Sequence, residues 1–571
     1  MNRRVNTDHD SHPDFDFHRD NPYPSTRHPV FARNVVATSH PLAAQAGLSM
    51  LARGGNAVDA AIATAAVLTI VEPVSNGLGS DAFAIVWDGA RPAPDRPKAG
   101  ELPRGEANEA RLHGLNASGC APLSWTREHF VRSHGADAVA PPVRGWGSVT
   151  VPGAVAAWAA LHARFARLPF DVLLAPAIDI AERGYTVTNI VAHKWAAAVE
   201  LLRTQPGFEP AFMPRGRAPR MGELFRFAEA ARALRAIAAT RGETFYRGEI
   251  AAAIAAHARA HGGAMTQADL AAYQPEWVEP LGRAFMGHVL HELPPNGQGL
   301  AALMALGMLE RFDLSSPALD GAAAQHLQIE AIKLAFADVY CHVAEPSAMR
   351  VSAADLLDDA YLASRAKLID PARAQVFDTG VLPKGGTVYL STADERGMMV
   401  SFIQSNYMGF GSGVVVPGWG VSLQNRGHAF SLDARSPNVV APGKRPFHTI
   451  IPAFLTKDGA PVMSFGVMGA NMQPQGHVQT LVRMLAWRQN PQVACDAPRW
   501  RFNQGLDLNV EAAMPPATVQ GLAALGHRIE TLVDSYQDFG AGQFIWRLGD
   551  PGVEGYVAAS DARRDGQAVG F

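Results

Sequence analysis

Thr387 carries the clearest chemical possibility in the chain. It follows Gly385-Gly386 and opens the strand-like run Val388-Tyr389-Leu390-Ser391. If the Gly386-Thr387 bond were cut, the new α-amine would sit beside the hydroxyl of its own residue. Such an amine can take the hydroxyl proton during attack on a carbonyl, one of few ways to activate a threonine. The ordinary reading of Gly-Gly-Thr before a strand is a turn. A second glycine-dense run, Tyr407-Met408-Gly409-Phe410-Gly411-Ser412-Gly413, follows one strand later. Gly77 and Gly79 invite a phosphate-loop reading, but no Lys-Ser/Thr pair or dinucleotide fingerprint follows, so they read as a turn. His326 and Glu330 lie one helical turn apart without a further ligand nearby in sequence, which favours a core or surface pair over a metal site.

The elements that must position Thr387 belong to a chain of 571 residues, 48% apolar and 18% charged, an ordinary globular composition. The formal net charge of -3 offers no basic footprint for nucleic acid or a membrane surface. Small-molecule chemistry is therefore expected. Cys120, Cys341 and Cys495 are widely spaced, which excludes a Cys-x-x-Cys site and argues against a disulfide framework. Residues 1–33 read as a polar arm without a secretory h-region, and the apolar segment from Ala60 to Val71 is too short to span a bilayer. The expectation is a cytoplasmic protein.

Val35 to Ala37 reads as a buried strand, Ser39 and Pro41 start a helix over Leu42 to Arg53, and Asn56 caps a buried helix from Ala57 to Val71. A loop from Glu72 to Ser80 and a strand from Ala82 to Trp87 follow. The stretch from Arg91 to Arg111 reads as a surface excursion, and Ser148 to Gly153 as strand and turn into a helix from Ala154 to Phe165. A helical unit from Leu168 ends at Gly184, the region from Phe225 to Ala260 is helical with breaks at Gly242 and Gly248, and His326 to Tyr340 has helical spacing. Regularity fades between Ala363 and Pro383, the natural linker. Short strands then run from Thr387 to Ala393, Met399 to Gln404 and Gly420 to Gln424, before a helix from about Gly476 to Gln489. The order fits stacked sheets with helices outside.

The segments from Pro41 to Gly47, Gly54 to Ala61, Val151 to Gly153, and Gly411 to Gly418 can be taken together. With them the sequence resembles the gamma-glutamyltransferase (glutathione hydrolase) family, which also holds cephalosporin acylases and oxamate amidohydrolases. The resemblance runs from about Asn34 to the C-terminus. It implies an α+β fold, the four-layer αββα sandwich of the N-terminal-nucleophile hydrolases. It also implies a precursor cut before Thr387 into a large subunit (34–386, after the arm) and a small one (387–571). Thr387 then attacks an amide carbonyl and passes the acyl group to water or an amine. Ser405 matches the position, usually Thr, that hydrogen-bonds the nucleophile. Gly469 and Ala470 match the Gly-Gly pair whose amides form the oxyanion hole. No metal or organic cofactor is implied.

The departures bear on substrate. The family's Arg for a glutamyl α-carboxylate falls at Ser118, and its Asp for the α-amine at Ala429. Its Asn is Tyr407, its Gln is Arg426, and its Ser-Ser pair is His448-Thr449. A glutamyl headgroup without both charged partners is costly to bury. A pocket lined by Tyr407, Arg426, His428, His448 and Thr449 favours an acid with a carboxylate and no α-amine. Arg426 pairing with an acidic neighbour, and His428 packing under Phe430, are the structural alternatives. Ser431 to Gly443, matching the family's lid loop, is short and implies a more open site. The substrate expected is a monoamide of a small dicarboxylic acid, oxamate-like or glutaryl-like. The rivals are true gamma-glutamyl transfer, with the missing Arg supplied from elsewhere, and an inactive family member acting as a binding protein.

Overall fold

The computed structural model describes residues 23, 27–89, 112–377, 386–533 and 539–571. Two seven-stranded sheets stack face to face. One runs Gln567–Gly570, Val35–Thr38, Gly386–Ala393, Met399–Tyr407, Asp81–Trp87, Leu112–Ala117, Glu276–Val278. The other runs Val30–Ala32, Tyr556–Ser560, Ala541–Arg547, Ala460–Met468, Ala453–Lys457, His288–Glu292, Leu281–Phe285. Pairing within both is antiparallel. Strands from either side of residue 387 interleave in each sheet, so the chain cannot be divided there into two independent cores.

Strand alternation builds the layers. Along Gly386–Ala393, Val388 and Leu390 pack outward with the helices, whereas Tyr389 and Ala393 join Val35, Phe83, Ile403, Phe454 and Ile545 between the sheets. The helices Pro41–Ala52, Ala57–Val71 and Ala154–Phe165 cover the first sheet, and Gly299–Leu309, Ala322–His342 and Met472–Leu481 cover the second. The result is the four-layer αββα sandwich.

The helix Ala57–Val71 sets up the site from below. Asn56 and Asp59 form a reciprocal capping box, and all of its residues are buried, as expected for small side chains on every side. Asp394, at the far end of the Thr387 strand, accepts from Ala57 N at 2.9 Å. The helix therefore runs back along that strand and delivers the loop after Glu72 to its start, where Ser75 and Val74 carbonyls accept from Asn406 N and Phe410 N. Gly47 permits the close approach of the preceding helix, since a Cβ there would lie 2.2 Å from Thr64 Oγ1.

Several expectations change. His40, rather than Ser39, caps the first helix, its ring accepting from Leu42 N. Trp146–Ser148 is a 3₁₀ turn, and no strand forms over 148–153. The edge strand Val30–Ala32 pairs with the Tyr556–Ser560 strand, so the arm ends earlier than residue 33. The expected linker begins with the helix Asp359–Ala366, and the strap after it is tied down by Ala374 N donating to Leu525 O. The helix expected from Gly476 starts at Met472 and ends in a π-helical turn over Val482–Ala486. Gly476 serves close packing instead, because a Cβ there would come within 2.6 Å of Val467. The excursion from Arg91 to Arg111, Gly385, most of the arm and the end of the linker lie outside the described residues. No helix among the described residues is long and apolar enough to cross a membrane.

Candidate active site

Thr387 lies at the first turn of its strand with only 1% of its surface exposed. It shares the inward face with Tyr389 and Ser391. The register slips here: Gly386 pairs with Tyr407 but Val388 with Gln404, so Ser405 and Asn406 together oppose Thr387. Such a bulge re-aims side chains at the end of a sheet. The Thr387 hydroxyl donates to Ser405 Oγ at 3.2 Å, and the Ser405 hydroxyl donates to the Gly386 carbonyl at 2.9 Å. Tyr407 N donates to the same Ser405 oxygen at 2.7 Å. One hydroxyl thus touches the nucleophile and the carbonyl of the bond preceding it.

The facing sheet brings Gly469 and Ala470 to this point. Ser391 Oγ meets Ser464 Oγ at 3.0 Å across the sandwich, and the Tyr389 ring covers Gly466. Continuing that antiparallel register by two residues places Thr387 level with Met468 and the turn after it. Gly469 and Ala470 both have positive φ, 127° and 51°. The Gly469 carbonyl accepts from Met472 N, and the Ala470 carbonyl from Gln298 Nε2 at 2.9 Å. Pinning these carbonyls on one side turns the amides of Ala470 and Asn471 to the other, at the N-terminus of the helix Met472–Leu481, where developing negative charge is favoured.

Around this pair the remaining candidates form one buried network. Tyr407, held at φ 79°, lays its ring under the Arg426 guanidinium at 4.6 Å. A bulky residue at positive φ is strained, and such strain clusters at functional sites. Arg426 Nη1 donates to Thr449 Oγ1 at 2.7 Å, while its buried Nε and Nη2 have no hydrogen-bond partner among the described residues. Burial holds Arg426 down to about 10, partly offset by Asp81. Gln298 Nε2 joins the Thr449 and Ala470 carbonyls, tying the residue that holds Arg426 to the Ala470 turn.

Asp81 was invisible as a site residue in the sequence, where it merely precedes an apolar strand. It pairs across the sheet with Ser405, so both point between the layers. His448 is fully buried; its Nδ1 accepts from Ile450 N, so Nε2 carries the proton and donates to Asp81 at 3.1 Å. Gly119 N and Gly153 N also donate to Asp81. Burial raises its pKa to about 7, against the pull of Arg426 and those amides. Burial, then Arg426, keeps His448 neutral. His448 therefore braces a carboxylate instead of lining open space.

Other placements differ from expectation. His428 is bound to the Pro141 carbonyl at 2.7 Å. At the two headgroup positions, Ser118 accepts from Asn296 Nδ2 and the Ala429 carbonyl from Asn438 Nδ2. Arg445, the cation beside Ser118, is paired with Glu276 at 2.6 Å. The loop from Ser431 to Gly443 is pinned by Lys444 Nζ on its carbonyls and packs through Leu432 and Val440 on Trp125 and Phe130. His326 and Glu330 do gain a third neighbour, His527, contrary to expectation. The two rings bond to each other at 2.8 Å, and Glu330 is held by Lys333 Nζ at 2.6 Å and by Gln375 N. The buried Lys333 ammonium thus pairs with the carboxylate of the cluster, and the two histidines bridge to each other.

The gamma-glutamyltranspeptidase family model matches residues 43–101 and 103–571. The chain is 34% identical over 554 residues to a glutathione hydrolase-like YwrD proenzyme of Bacillus subtilis, covering 95% of this chain and 99% of that one. It is 35% identical, with the same coverage, to an oxamate amidohydrolase proenzyme of Klebsiella pneumoniae. Among solved structures, the cephalosporin acylase of Bacillus halodurans superposes with a TM-score of 0.88 at 48% identity, over 97% of this chain and 98% of the other.

Proposed function

This chain belongs to the gamma-glutamyltranspeptidase family, a family of enzymes, and from that premise we propose that it is a self-processing amidohydrolase whose nucleophile is Thr387. The observation that carries the reading is the Ser405 hydroxyl shared between Thr387 Oγ1 and the Gly386 carbonyl. In processing, Thr387 Oγ1 adds to the Gly386 carbonyl carbon, the C–N bond breaks, and the nitrogen takes the proton. Water hydrolyses the resulting ester. Residues 1–386 and 387–571 remain associated, because both sheets contain strands from each.

In turnover the freed α-amine, with an ordinary pKa of about 7.7 to 8.0, takes the hydroxyl proton. Thr387 Oγ1 attacks the substrate carbonyl, the amides of Ala470 and Asn471 receive the oxyanion, and the leaving amine departs with the proton. Water, or an acceptor amine, then releases the acyl group from Thr387.

For the substrate, the relatives include an oxamate amidohydrolase and a cephalosporin acylase. A buried cation with two nitrogens unpartnered among the described residues, in a chain that lacks the family's charged headgroup residues, favours an acyl part with a carboxylate and no α-amine. A monoamide of a small dicarboxylic acid fits that description, through Arg426, Thr449 and Tyr407. The test is a denaturing gel with intact mass: wild type should give two fragments, the smaller beginning at Thr387, and Thr387→Ala one chain. An uncut wild type would sink the proposal.

A further inference from the structure

A groove of about 250 Å³ opens beside Gly386. One wall is the helix Asn189–Leu202, which presents Lys194, Ala198 and Leu201 at helical spacing; the other is Gly409 and Phe410. Leu201 is 62% exposed, an apolar side chain without a covering partner of its size. Arg144 crosses the groove. Its Nη1 donates to the Gly409 and Gly411 carbonyls, and its buried Nε has no hydrogen-bond partner among the described residues. Burial lowers Arg144 to about 10, and no described carboxylate forms an ion pair with it. Arg564, deeper in, is balanced by Glu72, Asp561 and Asp565. The surplus positive charge therefore sits with Arg144, over an apolar floor.

The position of the groove follows from the ester chemistry. In processing, the acyl group on Thr387 Oγ1 is the Gly386 carbonyl and the chain before it. In turnover it is the substrate's acyl group on the same oxygen. Gly386 therefore stands in for the first carbons of a bound acyl chain. A Cβ built on Gly386 meets nothing closer than 3.5 Å, so the groove admits carbon substituents at that point. We propose that this groove is a second acyl subsite, in which Arg144 and Lys194 receive the distal anion of a five- or six-carbon dicarboxylic acid monoamide.

This rests on Thr387 as nucleophile and extends the Arg426 reading from short acids, whose carboxylate adjoins the reacting carbonyl, to longer ones. It resolves the glutaryl-like from the oxamate-like substrate.

The experiment compares glutaryl 4-nitroanilide with pentanoyl 4-nitroanilide, equal in length but neutral, on processed protein. Wild type should favour the glutaryl amide at least ten-fold in kcat/KM. Arg144→Gln and Lys194→Gln should each lower that ratio about ten-fold, mainly through KM for the glutaryl amide. Because Arg144 also braces the loop at Gly409, Lys194→Gln decides alone if Arg144→Gln stays unprocessed. A wild-type ratio near one, or a ratio unmoved in processed variants, overturns the subsite. A wild type that never cuts itself overturns the nucleophile first, and the gel tells the two failures apart.

Discussion

The Ser405 hydroxyl stands between Thr387 Oγ1, at 3.2 Å, and the carbonyl oxygen of Gly386, at 2.9 Å. Donating to that carbonyl polarises the carbon that Thr387 attacks, and accepting from Thr387 aligns the attacking oxygen. Removing one donor from a developing oxyanion costs roughly 10²- to 10³-fold in rate. Ser405→Ala should slow self-cleavage by about that much, measured as the half-time of fragment appearance, while Ser405→Thr keeps it. Equal half-times for Ser405→Ala and wild type would remove Ser405 from the mechanism.

Arg426 is a fully buried cation with Tyr407 beneath it and Thr449 as its only side-chain hydrogen-bond partner among the described residues. A charged hydrogen bond contributes about 1.5–3 kcal/mol. Arg426→Met should therefore cut kcat/KM for a short acid amide such as oxamate by roughly 10- to 10²-fold. Self-cleavage, which involves no carboxylate substrate, is the comparison that separates recognition from chemistry. A matching loss in both would make Arg426 a structural residue only.

What could be read in the chain beforehand was local. Asn56 announced the helix after it, and the breaks at Gly242 and Gly248 fell where expected, because capping and helix breaking act within a few residues. The site is assembled by long-range pairing, which leaves no local mark. Asp81 acquires meaning only by pairing with Ser405, and Gln298 only by reaching both Thr449 and Ala470. His527 joins His326 from 201 residues away. Motif matching pointed to Ser405, which the structure hydrogen-bonds to Thr387, and expected His428 and His448 to line a pocket, whereas one holds the Pro141 carbonyl and the other Asp81.

Ala470 departs from the glycine that the resemblance leads one to expect, at φ 51°. A left-handed conformation costs an L-residue roughly 1–2 kcal/mol, part of which glycine returns as lost chain entropy. Ala470→Gly should raise stability by about 1 kcal/mol or less and retain turnover, since the amide is unchanged. Urea midpoints with kcat on the same samples test both halves. A fall in stability would mean that the Ala470 methyl, which is buried, contributes more packing than its backbone costs.

His291 gives a pH signature that is independent of the site. It lies on the second sheet, bonded to Thr456 Oγ1 at 2.9 Å, and burial lowers its pKa to about 4. Between pH 6.5 and about 4 the unfolded chain takes a proton at this residue and the folded one does not. Stability from this group is therefore present above pH 6.5 and lost as pH falls, by up to about 1.4 kcal/mol per pH unit. Buried carboxylates raised in pKa, Asp81 and Asp394 among them, act in the opposite sense over the same range, so the whole-protein profile mixes the two. The difference between wild type and His291→Gln isolates one group. Glutamine keeps a partner for Thr456 and cannot charge, so the variant should lose stability at pH 7 and regain it relative to wild type as pH falls to 4.5. Urea midpoints at half-unit steps measure this, and a constant difference across the range would show that His291 titrates alike in both states.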